Sequence, residues 1–202
     1  MCYPKNMKGK LFILSGQSGV GKKLILEKVR EHQPALTRIA SYTTREQRLN
    51  EIPGEDHYFV YREKFEEMIK NGELMEHAVV HNQLFGYPKK PIDDALAAGK
   101  NVLIEMDVQG VTNIWDKYNP VTIFIKYNTP QDGDLETLVR NRIKNDPGRG
   151  EVPEAEILER IATAKREITY EKNYKYSIIN PEGHPEVATR EVENIIKKEL
   201  AN

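Results

Sequence analysis

Leu11-Phe12-Ile13-Leu14-Ser15-Gly16-Gln17-Ser18-Gly19-Val20-Gly21-Lys22 is a short apolar run that breaks into a glycine-rich turn ending in Gly-Lys. A parallel strand covered on both faces needs a near-continuous apolar run, and residues 11–14 supply one. The three glycines let the backbone curl so that successive N–H groups converge on an anion. Downstream, Lys22-Lys-Leu-Ile-Leu-Glu-Lys-Val-Arg30 carries apolar side chains at Leu24, Ile25, Leu26 and Val29. That spacing predicts a helix whose N-terminal dipole faces the same anion. The pattern Gly-x-x-x-x-Gly-Lys is complete over 16–22, in the strand, loop and helix context that a phosphate-binding loop requires. The hydroxyl residue expected next, which normally helps hold Mg2+ on a nucleotide, is replaced by Lys23. The stretch predicts a nucleotide phosphate site with an unusual metal shell.

At 202 residues, the chain suits one α/β domain able to bury a sizeable core without disulfide staples. Its single cysteine, Cys2, excludes an intrachain disulfide and fits a reducing compartment. Lys and Arg number 30 against 31 Asp and Glu, a net charge of −1 that gives no global drive toward nucleic acid or a membrane surface. No apolar run approaches the roughly 20 residues of a membrane helix, and the N-terminus lacks the apolar core of a signal peptide. A cytoplasmic protein is expected. There is no internal repeat, low-complexity tract or composition break.

Residues 1–10 form a polar lead-in expected to fray, and His32-Gln33-Pro34 reads as a helix breaker. The segment 38–45 begins strand-like and runs into hydroxyls and arginine. Arg45 and Arg48, three apart, suit a second phosphate because guanidinium forks match phosphate oxygens; alone, they read more simply as solvated surface arginines. Phe65, Met68 and Ile69 give a helical stripe, 94–99 a helix end, and 101–106 a second buried strand. Asn145-Asp-Pro-Gly-Arg-Gly150 is the strongest loop signal. Val187, Val192, Ile195, Ile196 and Leu200 read as the stripe of a packing helix. His77 and His81 beside Glu76 lie in a strand-like segment without a third convincing ligand, which argues against a metal site.

Ser41-Tyr-Thr-Thr-Arg45-x-x-Arg48-x-x-Glu51-x-x-Gly54, following this loop, resembles the guanylate kinase family, which transfers the γ-phosphoryl group of ATP to GMP. The resemblance continues through Tyr58-Phe-Val60, Gly72-Glu-Leu-Met-Glu76, Phe85-Gly86, Ile104-Glu-Met-Asp107-Val-Gln-Gly110, Ile123-Phe-Ile125, Arg160-Ile-x-x-Ala164-x-x-Glu167 and Tyr176-Ser-Ile-Ile-Asn180. It implies an α/β P-loop nucleoside monophosphate kinase fold, a parallel sheet core flanked by helices, in a single domain. An NMP-binding insert is expected near 41–91 and a lid near 138–153. Residues Gly16, Gln17, Ser18, Gly19, Val20, Gly21, Lys22, Lys23 and Asn180 would bind ATP. Ser41, Arg45, Arg48, Glu51, His57, Tyr58, Glu76, Phe85, Tyr87 and Asp107 would form the GMP site, with Glu76 accepting from the guanine ring N–H and exocyclic amine. Lys22, Arg45, Arg142, Arg160 and Asp107 would act in catalysis, and Arg140 and Arg149 rival Arg142 as the lid arginine. Asp107 could alternatively cap a turn, and Asn180 be an ordinary turn residue. The implied cofactor is Mg2+ with ATP, without a protein metal site; the implied partners are ATP and GMP, with no nucleic acid or membrane, in a monomer or homodimer.

The departures from the family pattern surround the two phosphate sites. Lys23-Leu24 removes a hydroxyl, which predicts weaker metal binding without abolishing it, since Mg2+ binds chiefly through substrate phosphates and water. His57 stands where the family usually has tyrosine, with Tyr58 next, so either side chain could donate to phosphate. Phe85 lacks a second tyrosine's hydroxyl, a loss of about 1.5–3 kcal/mol if it served a charged group. Tyr87 replaces a small hydroxyl residue beside the base. Two other readings stay open: a P-loop kinase for another phosphorylated acceptor, and a catalytically weak guanylate-kinase-like binding module.

Overall fold

The apolar run forms the strand it predicts, β1 (Leu11–Gly16), buried at all six positions. In this computed structural model, residues 8–80, 82–128, 132–145 and 151–201 are described. Cys2, His81, Arg149 and most of the loop read at 145–150 lie outside them. After β1 come α1 (Lys22–His32), β2 (Ser41–Thr43), β3 (His57–Phe59), α2 (Arg62–Lys70), β4 (Leu74–Val80), β5 (Gln83–Pro88), α3 (Lys89–Ala97), β6 (Val102–Glu105) and α4 (Val108–Tyr118). Then follow β7 (Val121–Tyr127), α5 (Asp132–Lys144), α6 (Glu154–Glu167), a 3-10 turn (Ile168–Asn173), β8 (Tyr176–Asn180) and α7 (Pro185–Ala201). These elements form two compact units, 8–11 with 35–120 and 12–34 with 121–201.

The second unit is built on a parallel sheet. Phe12 pairs with Val121 and Gly16 with Ile125, while Ile123 pairs with Tyr176 and Tyr127 with Asn180. Parallel neighbours cannot be joined by a tight hairpin, so helices connect them and cover the sheet. Ile25, Leu26 and Val29 of α1 are buried, whereas Leu24 is 41% exposed. Leu24 therefore stands off the buried face of the helix that the sequence predicts. On α7 the buried stripe is Ala188, Thr189, Val192, Ile196 and Glu199, and Leu200 points outward. Glu199 takes the inner position because Tyr176 Oη and Lys175 Nζ both donate to its carboxylate, the condition for burying a charge.

The first unit holds a mixed sheet ordered β3-β2-β5-β4, in which β2 and β3 run parallel and the other pairs antiparallel. Phe65 and Met68 of α2 are buried as their spacing predicts. A Cβ on Gly86 of β5 would stand 3.1 Å from the Phe65 ring, so α2 covers the sheet face toward which that Cβ points. The second apolar run becomes β6, whose Val102 N–H donates to Lys10 O at 2.9 Å. No helix among the described residues is long and apolar enough to cross a membrane. Phe65→Ala would empty a fully buried aromatic site; urea unfolding should show a loss of about 3–5 kcal/mol.

Candidate active site

The loop 16–22 is shaped by backbone that only glycine adopts without strain. Gly16, Gly19 and Gly21 have φ of 135°, 76° and 95°. Gln17 anchors the loop from the inside: its N–H donates to Ile125 O at 3.1 Å, its Oε1 accepts from Tyr127 N at 2.9 Å and its Nε2 donates to Ala164 O at 3.2 Å. Ser18 is held on both sides, its N–H donating to Glu167 Oε2 at 2.5 Å and its carbonyl accepting from Tyr127 Oη at 3.1 Å. Burial drives the Tyr127 phenol pKa well above its ordinary range, so the hydroxyl stays a donor.

Lys22 opens α1 and arches back over the loop, its Nζ donating to Gly16 O at 2.9 Å and Gln17 O at 3.1 Å. Asn180, at the end of β8, donates from Nδ2 to Val20 O at 2.6 Å, while its buried Oδ1 has no hydrogen-bond partner among the described residues. A Cβ on Gly21 would lie 2.9 Å from Arg142 Nη1 and 3.1 Å from Asn180 Nδ2. Of the two competing arginines among the described residues, Arg140 and Arg142, Arg142 is thus the one set against the loop. Arg140 is held by Glu136 and by both oxygens of Glu154, and Arg160 by Glu156 one turn away on α6. Lys23 approaches Glu27 at 3.8 Å with its side chain half exposed.

Strand alternation brings together several of the residues expected at the acceptor site. Residues paired across strands share a sheet face. Register pairs Ser41 with His57, Thr43 with Phe59 and Phe85, Ala78 with Phe85, and Glu76 with Tyr87. Ser41, His57, Phe85, Glu76 and Tyr87 therefore lie on one face. Tyr58 does not join them: it pairs with Tyr42 on the opposite face, their rings stacked with centroids 4.8 Å apart. Of the two candidate donors, His57 shares the face of Ser41 and Glu76, and Tyr58 stands on the opposite one. His57 Nδ1 is 2.8 Å from Ser41 Oγ, and its ring meets Phe59 and Phe85 edge to face. His77 likewise pairs with Gly86 on the face away from Glu76, and no group of three or more potential metal-binding side chains occurs among the described residues.

Glu51 organises the arginine segment. Arg45 Nη2 donates to both its oxygens, at 2.8 and 3.0 Å, and Arg48 N–H donates to Oε2 at 2.9 Å. Burial pushes this carboxyl up, but its bonds to Arg45 and Arg48 outweigh burial and hold its pKa below the usual value. Arg45 also stacks over the Phe59 ring, 5.7 Å from its centroid, which brings its guanidinium beside the shared face.

Glu76 is 7% exposed, its Oε1 accepting from Tyr87 N at 3.2 Å. A Cβ on Gly110 would stand 2.7 Å from its Oε2, so α4 approaches this carboxyl closely through glycine. Burial first, and then the Asp107 carboxylate, push Glu76 up to about 8 against the opposing pull of the Tyr87 N–H. Asp107 caps α4, its Oδ1 accepting from Gln109 N at 2.7 Å and Gly110 N at 3.1 Å. The capping reading of Asp107 is thus correct as structure, and the cap holds its carboxylate near Glu76. Tyr87 Oη donates to Glu105 O at 2.8 Å. Sequence reasoning assigned no role to Glu167 or Tyr127; both reach the loop across more than a hundred residues, and only the Ala164-x-x-Glu167 spacing marked one of them.

Comparison with known proteins agrees with this geometry. A family model described as guanylate kinase matches residues 8–199. A guanylate kinase of Clostridioides difficile is 38% identical over 192 residues, covering 95% of this chain and 89% of that protein. A chloroplastic/mitochondrial guanylate kinase 2 of Oryza sativa is 32% identical over 191 residues; the match covers 95% of this chain but 65% of the rice protein's length. The crystal structure of a guanylate kinase from Anaplasma phagocytophilum superposes with a TM-score of 0.75 at 27% identity, covering 95% of this chain and 86% of that one. With its phosphate loop and acceptor face in place and the family model matching almost its whole length, the chain belongs to the guanylate kinase family.

Proposed function

We propose that this chain transfers the γ-phosphoryl group of ATP to GMP, in the cytoplasm, with 41–91 as the acceptor insert and 138–153 as the lid. The observation that carries this reading is the single sheet face holding Ser41, His57 and Glu76, in a chain that also builds the loop 16–22. The match to guanylate kinases over nearly the whole chain favours it over the other-acceptor kinase and the binding module.

The reaction asks mainly for positioning and for positive charge around the transferred oxygens. Loop amides cradle the phosphate chain, and Lys22 exchanges the carbonyls of Gly16 and Gln17 for phosphate oxygens. Arg142, which stands against Gly21, serves as the lid arginine, and Arg160 stands by on α6. Arg45, Arg48 and His57 grip the GMP phosphate, with Arg45 oriented by Glu51. Glu76 accepts from the guanine ring N–H and exocyclic amine, and Asp107 orients the acceptor. Lys23 stands in place of a hydroxyl, and the described residues form no cage of three or more ligands. That donor set fits Mg2+ carried by the ATP phosphates and water. The ion supplies charge neutralisation on the phosphates.

ADP release with ATP, Mg2+ and each of GMP, dGMP, AMP, CMP and UMP tests the proposal. Turnover confined to the guanine nucleotides is expected; turnover with another acceptor only, or with none from folded protein, rejects it. Lys22→Ala should lower kcat by about a hundredfold or more, the scale of removing one transition-state charge partner, without shifting the melting curve. Glu76→Gln should reduce the kcat/KM preference for GMP over AMP by about tenfold to a hundredfold. In the wild type, Glu76 keeps its proton below about 8, whereas guanine requires an acceptor. The kcat/KM for GMP should therefore climb as pH rises from neutrality and level off above that value, a rise that Glu76→Gln removes.

A further inference from the structure

The two halves of the phosphate loop are held by different means. The first half is fastened at five points: the Gln17 N–H, both ends of the Gln17 amide, the Ser18 N–H and the Ser18 carbonyl. Three of those bonds end on β7, at Ile125 and Tyr127, and two end on the last turns of α6, at Ala164 and Glu167. In the second half the glycine amides at 19 and 21 carry the nest geometry that suits phosphate.

Glu167 is the charged member of this set. It is buried, and an ionised acceptor makes a stronger bond to an amide than a neutral one. A carboxylate beside a triphosphate site is electrostatically adverse, so its place there calls for a geometric reason. The spacing on α6 offers one. Arg160, Ala164 and Glu167 stand at i, i+4 and i+7, one stripe of the helix. The contacts from Ala164 and Glu167 to the loop thereby set the rotation of α6 that carries Arg160.

We infer that Glu167 is a positioning residue for the donor nucleotide: through the Ser18 amide it fixes the first half of the phosphate loop and indexes α6 to it. This rests on the reading of loop 16–22 as the ATP site. Glu167 touches neither nucleotide in this role. Its effect passes through Ser18, which Tyr127 holds from the carbonyl side.

Equilibrium binding of MgATP without acceptor, measured by titration calorimetry, separates this inference from the reading beneath it. If the folded wild type binds no MgATP, the donor-site reading itself fails. With binding established, Glu167→Ala should weaken ATP affinity by about tenfold, the scale of one lost charge-assisted hydrogen bond. The KM for GMP should stay within about twofold, a split that general loosening of the fold would not produce. Glu167→Gln keeps an acceptor oxygen without the charge and should restore wild-type affinity to within about threefold. Tyr127→Phe, which removes the bond to the Ser18 carbonyl, should raise the ATP dissociation constant severalfold and leave the KM for GMP alone. Wild-type ATP affinity in Glu167→Ala, or parallel losses for both nucleotides, overturns the inference. Should Glu167→Ala not fold, a Gln variant as impaired as a charge-reversed Glu167→Lys would overturn it, and a Gln variant near wild type beside an impaired Tyr127→Phe would uphold it.

Discussion

A methyl group on Gly16 would stand 1.9 Å from the carbonyl oxygen of Ile125. No side chain fits that distance, and the donor site depends on the approach it permits. Because β1 runs so tightly beside β7, the chain leaves the sheet at Gly16 in a left-handed conformation. The Gln17 N–H then finds Ile125 O, and the Gln17 amide spans from Tyr127 to Ala164. One close backbone contact thus fixes where the loop starts, which side chain lies beneath it and which helix it is tied to. The loop's freedom to receive phosphate is left to residues 19–22, where Gly21 makes room for Arg142 and Asn180.

The acceptor side uses the period of a strand in place of a close approach. Ser41, Thr43, His57, Phe59, Phe85, Tyr87 and Glu76 come from four strands, and register alone brings them to one face. The same rule sends Tyr42, Tyr58 and His77 to the other face, where α2 packs. Two of the family departures acquire a structural meaning here. His57 shares the face and a 2.8 Å contact with Ser41, in the place where a tyrosine hydroxyl would otherwise donate. Tyr87 turns its hydroxyl to Glu105 O while its backbone N–H holds Glu76, so Tyr87 ties the Glu76 carboxyl to the strand that leads to Asp107.

Charge is managed differently at the two acceptor carboxylates. Glu51 is buried against Arg45 and the Arg48 N–H, and its charge is stabilised. Glu76 is buried with one N–H and faces Asp107, and its charge is disfavoured. The first carboxylate orients an arginine permanently. The second is primed to gain from a partner bearing two N–H donors, as the edge of guanine does.

Much of this was legible in the chain of residues. The apolar run 11–14, the glycine spacing over 16–22, the stripe at Phe65 and Met68, and the arginines at 45 and 48 are local patterns, set by strand and helix periods and by the conformations open to glycine. Local patterns determined the strand-loop-helix over 11–32 and the α/β class, and the ordered motifs carried the resemblance to the family that the match over 8–199 shows. They missed at Leu200, where hydrophobicity alone does not say which way a helix faces, and they could not assign Tyr58 to a sheet face, because alternation cannot be phased without register. The approach of Arg142 to Gly21, the separation of His57 and Tyr58 onto opposite faces, and the hold of Glu167 and Tyr127 on the loop were decided by tertiary structure. Each is a contact between residues far apart in the chain, and such contacts follow from packing, which no local period encodes.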